Sequence, residues 1–183
     1  MFRMNLKEVK DLEQEEVVTL AKWGDKEAFA KLMYERKDVL YKTAYIYVKN
    51  EDDALDIVSE TVYRAYTSIK KLKNPQFFNT YLTRILINCA VDMLKKKKVF
   101  VSGSESVLLN KVSKKENIEE NIDLYRAVDL LNDKYRTVIV LKYFRDMTFE
   151  DISGVMNCPV GTVKTYLHRA LKTLRINMAC PEE

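Results

Sequence analysis

The chain has 183 residues, with 31 Lys and Arg against 27 Asp and Glu for a net charge of +4; this length holds one domain or two small ones. Three prolines and four glycines exclude a fibrous or low-complexity chain and imply mostly helix, while three unpaired cysteines and one histidine leave little for a disulfide frame or a metal site. No apolar run approaches the roughly twenty residues that cross a bilayer, and the start, MFRMNLKEVKDLEQEE, is too charged for a signal peptide, so a soluble protein of the reducing cytoplasm is expected.

In chain order, Glu13 to Lys22 reads as a short helix. Asp25 or Lys26 opens a longer one, with Phe29, Leu32, Met33, Leu40, Tyr41, Ala44, Tyr45 and Val48 on its packed side, and Asn50 breaks it. A third helix runs from Glu51 or Asp52 through Ala65, with Ala54, Leu55, Val58, Val62 and Tyr66 inward. Its first turns hold a pure acidic block, Glu51, Asp52, Asp53, Asp56 and Glu60, which suits the positive end of the helix dipole. KKLKNPQFF, Lys70 to Phe78, reads as a loop. A fourth helix follows, with Tyr81, Leu82, Ile85, Leu86, Cys89 and Leu94 as core positions, and ends in the run Lys95 to Lys98.

Val99 to Asn117 breaks the periodicity and is rich in serine and charge, so it reads as a linker in which Val107 to Leu109 make a transient contact. Beyond it Leu124, Val128, Leu131, Tyr135, Val138, Leu141 and Phe144 resume helical spacing, interrupted at Asn132-Asp133. The expected fold is all-α: two small helical domains, 1–98 and 118–183, joined by a flexible linker, 99–117.

Thr148 to Arg175, TFEDISGVMNCPVGTVKTYLHRALKTLR, carries the strongest signal. Thr148 is an N-cap, Asp151 closes a capping box, and Ile152, Val155 and Met156 form a buried stripe that Asn157 ends. Cys158 or Pro159 opens a second helix whose Val163, Leu167, Leu171 and Leu174 turn inward together. Small Ser153 and Gly161 suit close approach. Thr162, Lys164, Thr165, His168, Arg169, Lys172 and Arg175 are left on or near the outer face, with no acid from Gly161 to Arg175. This is a helix-turn-helix, with a second helix fitted to base edges and flanking phosphates.

The alternation of charge suggests two kinds of partner, a basic protein surface for the acidic block and a polyanion for the basic segments. A second nucleic-acid site lies in Lys70, Lys71, Lys73, Asn74, Phe77 and Phe78, followed on the fourth helix by Tyr81, Arg84, Asn88, Asp92, Lys95 and Lys96. Rings beside cations suit an unstacked single strand; the competing reading makes Tyr81 and one phenylalanine core groups and the lysine run a solvated helix end. The carboxylate pairs Asp52/Asp56 and Asp56/Glu60 have helix spacing, yet no histidine, nucleophile partner or glycine-rich phosphate loop accompanies them. Neither an enzyme nor a cofactor or small-molecule substrate is expected.

Two segments together carry a family resemblance. LNDKYRTVIVLKYFRDMTFEDISGVMNCPVGTVKTYLHRALKTLR resembles the promoter −35-binding domain of bacterial RNA polymerase sigma factors. EDDALDIVSETVYRAYTSI, followed by FFNTYLTRILINCAVDMLKKKK, resembles their core-binding and −10-reading domain. The short linker in place of a middle domain points to the extracytoplasmic-function class, and the likeness covers roughly Asp25 to Arg175.

The resemblance implies that Asp52, Asp53, Asp56, Ile57, Val58, Glu60 and Thr61 meet a basic coiled coil of core polymerase. It implies that Lys70 to Phe78, with Asn88, Asp92 and Lys95, hold a flipped −10 base, and that Thr162, Lys164, Thr165, Tyr166, His168, Arg169 and Lys172 lie in or beside the −35 major groove. Asp129, Leu131 and Tyr135 would rest on the polymerase flap. Tyr81 stands where the family commonly has tryptophan, and Tyr166 where it very often has arginine. The class implies an anti-sigma partner, often membrane-anchored, able to hold the chain at the membrane. The rival is a free helix-turn-helix regulator binding duplex DNA as a dimer, which has no use for the acidic block.

Overall fold

A computed structural model describes residues 6–103 and 127–179, with side chains from 13–97 and 127–176. The regular elements among the described residues are all helices, without a strand. The inferred contact at Val107 to Leu109, most of the linker and Leu124 lie outside them.

The first helix, α1, spans Leu6–Lys22, longer than the sequence indicates. Asp25 then caps α2, Lys26–Val48, by accepting the Ala28 amide at 2.9 Å. Lys49 in the left-handed region ends α2, and Asn50 caps α3, Glu51–Ser68, through the Asp53 amide at 2.9 Å. The helices α2 and α3 thus form a hairpin with a two-residue corner. KKLKNPQFF is not loose: 3-10 turns at Ile69–Lys71 and Pro75–Phe77 lead into α4, Phe78–Gly103, which continues past the lysine run.

Residues 127–129 are helical. Asn132 caps α5, Asp133–Ile139, which widens directly into a π-helical turn at Val140–Phe144. The predicted helix-turn-helix follows: α6, Phe149–Met156, and α7, Val160–Ala179. Thr148 Oγ1 accepts the Asp151 amide at 3.1 Å and donates to Asp151 Oδ2 at 2.7 Å, and Asn157 closes α6 at φ 50°. Thr148→Ala removes this cap at a cost of about 1 kcal/mol; the expected result is a melting temperature about 2–4 °C lower in a thermal scan. Ser153 fastens the turn by donating to the Cys158 carbonyl at 2.6 Å. Gly161 does not serve the approach of the two helices to each other, since a side chain there would meet nothing of the chain within 4 Å. The close approach falls on Gly154 instead, where a Cβ would stand 2.9 Å from the Thr80 methyl of α4.

Buried apolar residues of the N-terminal and C-terminal helices belong to one cluster. Thr43 and Tyr47 of α2 are buried, whereas Tyr45, assigned to the packed side from sequence, is exposed. The reason is that the C-terminal helices cover the Thr43/Tyr47 face. The Tyr47 hydroxyl donates to Thr137 Oγ1 at 3.0 Å in a buried site, and Arg145 Nη1 donates to Thr43 Oγ1 at 2.9 Å. Likewise Thr83 and Ile87 are buried on the α4 face shared with Thr80 and Arg84, while Ile85 and Leu94 are only half-buried.

Candidate nucleic-acid interface

Three surfaces follow from this packing. On α3, Asp52, Asp56 and Glu60 are exposed one turn apart in a row. Ile57 and Thr61 are not on that surface: they are 1% and 0% exposed, held in the core between α3 and its neighbours, with Thr61 Oγ1 donating to the Ile57 carbonyl. Val58 is half-buried. Two apolar groups that the helical period places inward, Leu55 and Tyr66, are instead 54% and 48% exposed, and Tyr63 is 65% exposed. Leu55 and Tyr63 border the carboxylates, giving the face an apolar component bounded by charge, as protein interfaces have. The period alone misplaced Leu55 because α3 buries only a narrow stripe, Ala54, Ile57, Thr61 and Ala65.

The acids differ in what they can offer. Asp53 is tied to Lys97, so the acidic block and the basic run, separate in sequence, meet in space. Glu60 accepts Arg64 Nε at 2.6 Å, and Arg64 reaches Asp92 at 3.4 Å. Asp52 and Asp56 have no ion pair among the described residues.

In the second surface, Lys70, Lys71, Lys73, Asn74 and Phe77 are exposed, and so are Asn88, Lys95 and Lys96 on α4. Phe78 is fully buried and cannot meet a base from its place in the core. The Arg36 guanidinium covers its ring at 5.1 Å while the Tyr81 ring flanks it at 6.2 Å. Tyr81 is a half-buried core group whose hydroxyl is within 2.7 Å of Ser68 Oγ. Arg84 is turned to the C-terminal helices and donates to the Gly154 carbonyl. Cys89 is buried against Thr61, and desolvation pushes its thiol pKa up, so it is not a reactive thiol.

The third surface is α7. Val163, Ala170 and Leu174 are buried, which leaves Lys164, Thr165, His168, Arg169, Lys172 and Arg175 exposed along one side, with Thr162 half-buried at its start. Tyr166 does not stand with them: its half-buried ring packs on Tyr135 at 5.9 Å, with Lys134 above it at 5.8 Å. It therefore fixes α7 against α5. Of the residues assigned to the flap, Leu131 is buried, Tyr135 is half-buried and Asp129 pairs with Lys49.

Among the described residues no three His, Cys, Asp or Glu are placed to hold a metal, and no helix is long and apolar enough to cross a membrane.

Comparison with known proteins gives two family matches. Residues 33–99 match the family "Sigma-70 region 2" and residues 122–174 match "Sigma-70, region 4". RNA polymerase sigma factor SigV of Bacillus subtilis is 37% identical over 145 residues, covering 79% of this chain and 87% of that one. The ECF RNA polymerase sigma factor SigW of the same organism is 34% identical over 169 residues, covering 84% and 90%. The fold is similar to that of CnrH in complex with the cytosolic domain of CnrY, with a TM-score of 0.70 at 19% identity over 92% of this chain and 99% of that one. It is also similar to the sigma factor RpoE bound to the anti-sigma factor NepR from Bartonella quintana, with a TM-score of 0.69 at 21% identity, covering 84% and 98%.

Proposed function

The chain belongs to the sigma-70 family of RNA polymerase sigma factors, in its extracytoplasmic-function class, and we propose that its α3 face docks core polymerase while α7 grips promoter duplex. As a sigma factor it binds core RNA polymerase and directs promoter recognition and transcription initiation. The observation that supports this assignment best is the opposition of two exposed faces, the Asp52/Asp56/Glu60 row on α3 and the acid-free Lys164 to Arg175 side of α7.

The carboxylate row steers and orients the encounter with a basic surface, and Leu55 and Tyr63 supply the apolar contact beside it. Lys70, Lys71, Lys73, Asn74 and Phe77 capture the melted −10 strand. The ring stacks on a flipped base and the lysines neutralise backbone phosphate, offsetting the few kcal/mol that unpairing costs. Asn88, Lys95 and Lys96 extend this path along α4. On α7, Thr162, Lys164, Thr165, His168 and Arg169 lie in or beside the −35 groove with Lys172 on the phosphates. Lysine neutralises phosphate without the bidentate fork of arginine, so Lys172 positions more than it reads.

The protein works by binding, with no chemistry and no cofactor of its own. We place it in the cytoplasm, with an anti-sigma factor as its inhibitory partner; a membrane-anchored partner would hold it there. In vitro transcription with core polymerase, followed by sequencing of the transcripts, is the test. Defined start sites behind paired −35 and −10 elements are expected, and the absence of start sites on any promoter would remove the reading. On −35 duplex, Lys172→Ala is expected to weaken binding nearly equally for all sequences and to lower the salt slope of log K by about one. A loss confined to one sequence would instead make Lys172 a base reader.

A further inference from the structure

Trp23 is the chain's single tryptophan and, at 85% exposure, the most exposed large apolar side chain among the described residues. Leu20, one turn earlier, is 52% exposed. The core takes Val18 and Ala21 from this end of α1 and leaves both of the others out. A large ring standing in water is a ready anchor for a partner, because it brings much contact area for little conformational entropy.

The ring is also carried on a fixed platform. Only Trp23, Gly24 and Asp25 separate α1 from α2. The amides of all three bond back to α1, Trp23 to the Leu20 carbonyl at 3.0 Å, Gly24 to Ala21 at 3.1 Å and Asp25 to Leu20 at 3.1 Å. Gly24 takes φ 102°, which a side chain would strain, and the Asp25 carboxylate is occupied by the Ala28 amide. A partner that covers the ring therefore meets a backbone already ordered, which lowers the cost of binding.

The place of this corner in the bundle, and the charge around it, select the partner. The α2–α3 hairpin is antiparallel, so the start of α2 lies beside the end of α3, where Phe29 meets Tyr66 edge-on at 5.2 Å. From there α3 passes straight into the turn Ile69–Lys71, and α1 packs against both 3-10 turns. Trp23 thus stands at the end of the bundle that carries the exposed Lys70 and Lys71, with Lys26 exposed beside it. The acids at the corner are Asp25, already committed to Ala28, and Glu27, whereas the row that begins at Asp52 lies at the opposite end of α3. A ring among lysines fits a polyanion with an unstacked base to offer, which is a single strand; in a duplex the faces of the bases are already covered.

We propose that Trp23, with Lys70 and Lys71, is a second stacking platform for the melted promoter strand, taking a base other than the one that stacks on Phe77. This rests on the sigma-factor reading and deepens it: the open strand is held on two rings, and the lysines neutralise its phosphates.

The test has two arms. In the first, the full chain without polymerase is titrated with single-stranded oligo(dT) and, separately, with −35 duplex, and the single tryptophan reports from the site itself. Its fluorescence is expected to be quenched by the single strand and unchanged by the duplex. In the second, holoenzyme reconstituted with the native chain, Trp23→Ala or Trp23→Phe binds the non-template strand of a promoter found by the transcription test, intact or with one base removed at successive positions. The ring is exposed, so both variants are expected to melt like the native chain. Trp23→Ala is expected to weaken strand binding about tenfold, and Trp23→Phe, which keeps a stacking face, to recover most of that loss. One abasic position, distinct from the one coupled to Phe77→Ala, is expected to cost the native holoenzyme about tenfold and the Trp23→Ala holoenzyme less than about twofold, the sign of a direct pair. Unchanged fluorescence on oligo(dT), Trp23→Ala binding the strand within about twofold of native, or Trp23→Ala weakening core polymerase binding in the absence of DNA would each overturn the platform. Quenching by the single strand from a chain that forms no holoenzyme would uphold the strand contact and remove the sigma-factor reading.

Discussion

Reversing Asp52 and Asp56 together to lysine is expected to raise the Kd for core polymerase at least a hundredfold while lowering the melting temperature by only about 2–4 °C. Both side chains are exposed and neither has an ion pair among the described residues, so the folded state loses little beyond the attraction of Asp52 to the positive end of the α3 dipole, about 0.3–1 kcal/mol. At a basic partner surface the same changes replace attraction by repulsion. Breaking one interfacial charge pair costs about 2–5 kcal/mol, and about 1.4 kcal/mol is tenfold in affinity, so two reversals at a hundredfold is the lower bound. Asp53 belongs in a separate variant because it also holds Lys97 and thereby joins α3 to α4. A sedimentation or fluorescence titration in which the double reversal binds within threefold of the native chain would rule the α3 face out as the dock.

The adjacent phenylalanines should separate cleanly into one stability residue and one DNA residue. Phe78→Ala is expected to cost about 3–5 kcal/mol, the range for a buried aromatic group, and to lower the melting temperature by on the order of 10 °C. Its ring has no exposed surface, packs near Tyr81 and lies beneath Arg36. Phe77→Ala removes a ring that is 54% exposed, so thermal unfolding should barely move. Loss of one base-stacking surface is worth about 1–3 kcal/mol, so open-complex formation, followed by permanganate reactivity of melted thymines, should fall about tenfold. Native-like melting of Phe78→Ala, or native-like promoter opening by Phe77→Ala, would contradict the assignment.

The sequence by itself determined what depends on local chemistry. Asp25, Asn50, Asn132 and Thr148 are short polar side chains that accept an amide three residues on, and each does so where a helix begins. The acid-free face of α7 and the acidic start of α3 were legible because charge is excluded from the core and helical spacing sorts it outward. The family resemblance added which partner each face meets.

Only the tertiary structure decided which of two neighbouring apolar or polar groups is inside. Phe77 and Phe78 are alike in composition and adjacent in sequence, and the 3-10 turn at Pro75–Phe77 alone puts one outward and the other beneath Arg36. Thr43 and Tyr47 read as a poor core face until α5 and the turn behind it cover them, and Leu55 reads as core until the narrow stripe of α3 leaves it out. Nothing local marks Gly154, because a glycine's reason lies in what approaches it, here the Thr80 methyl more than seventy residues away in the chain. Periodicity records that a face is apolar, whereas burial depends on the shape of the element that arrives to cover it, and that information is distributed over both partners.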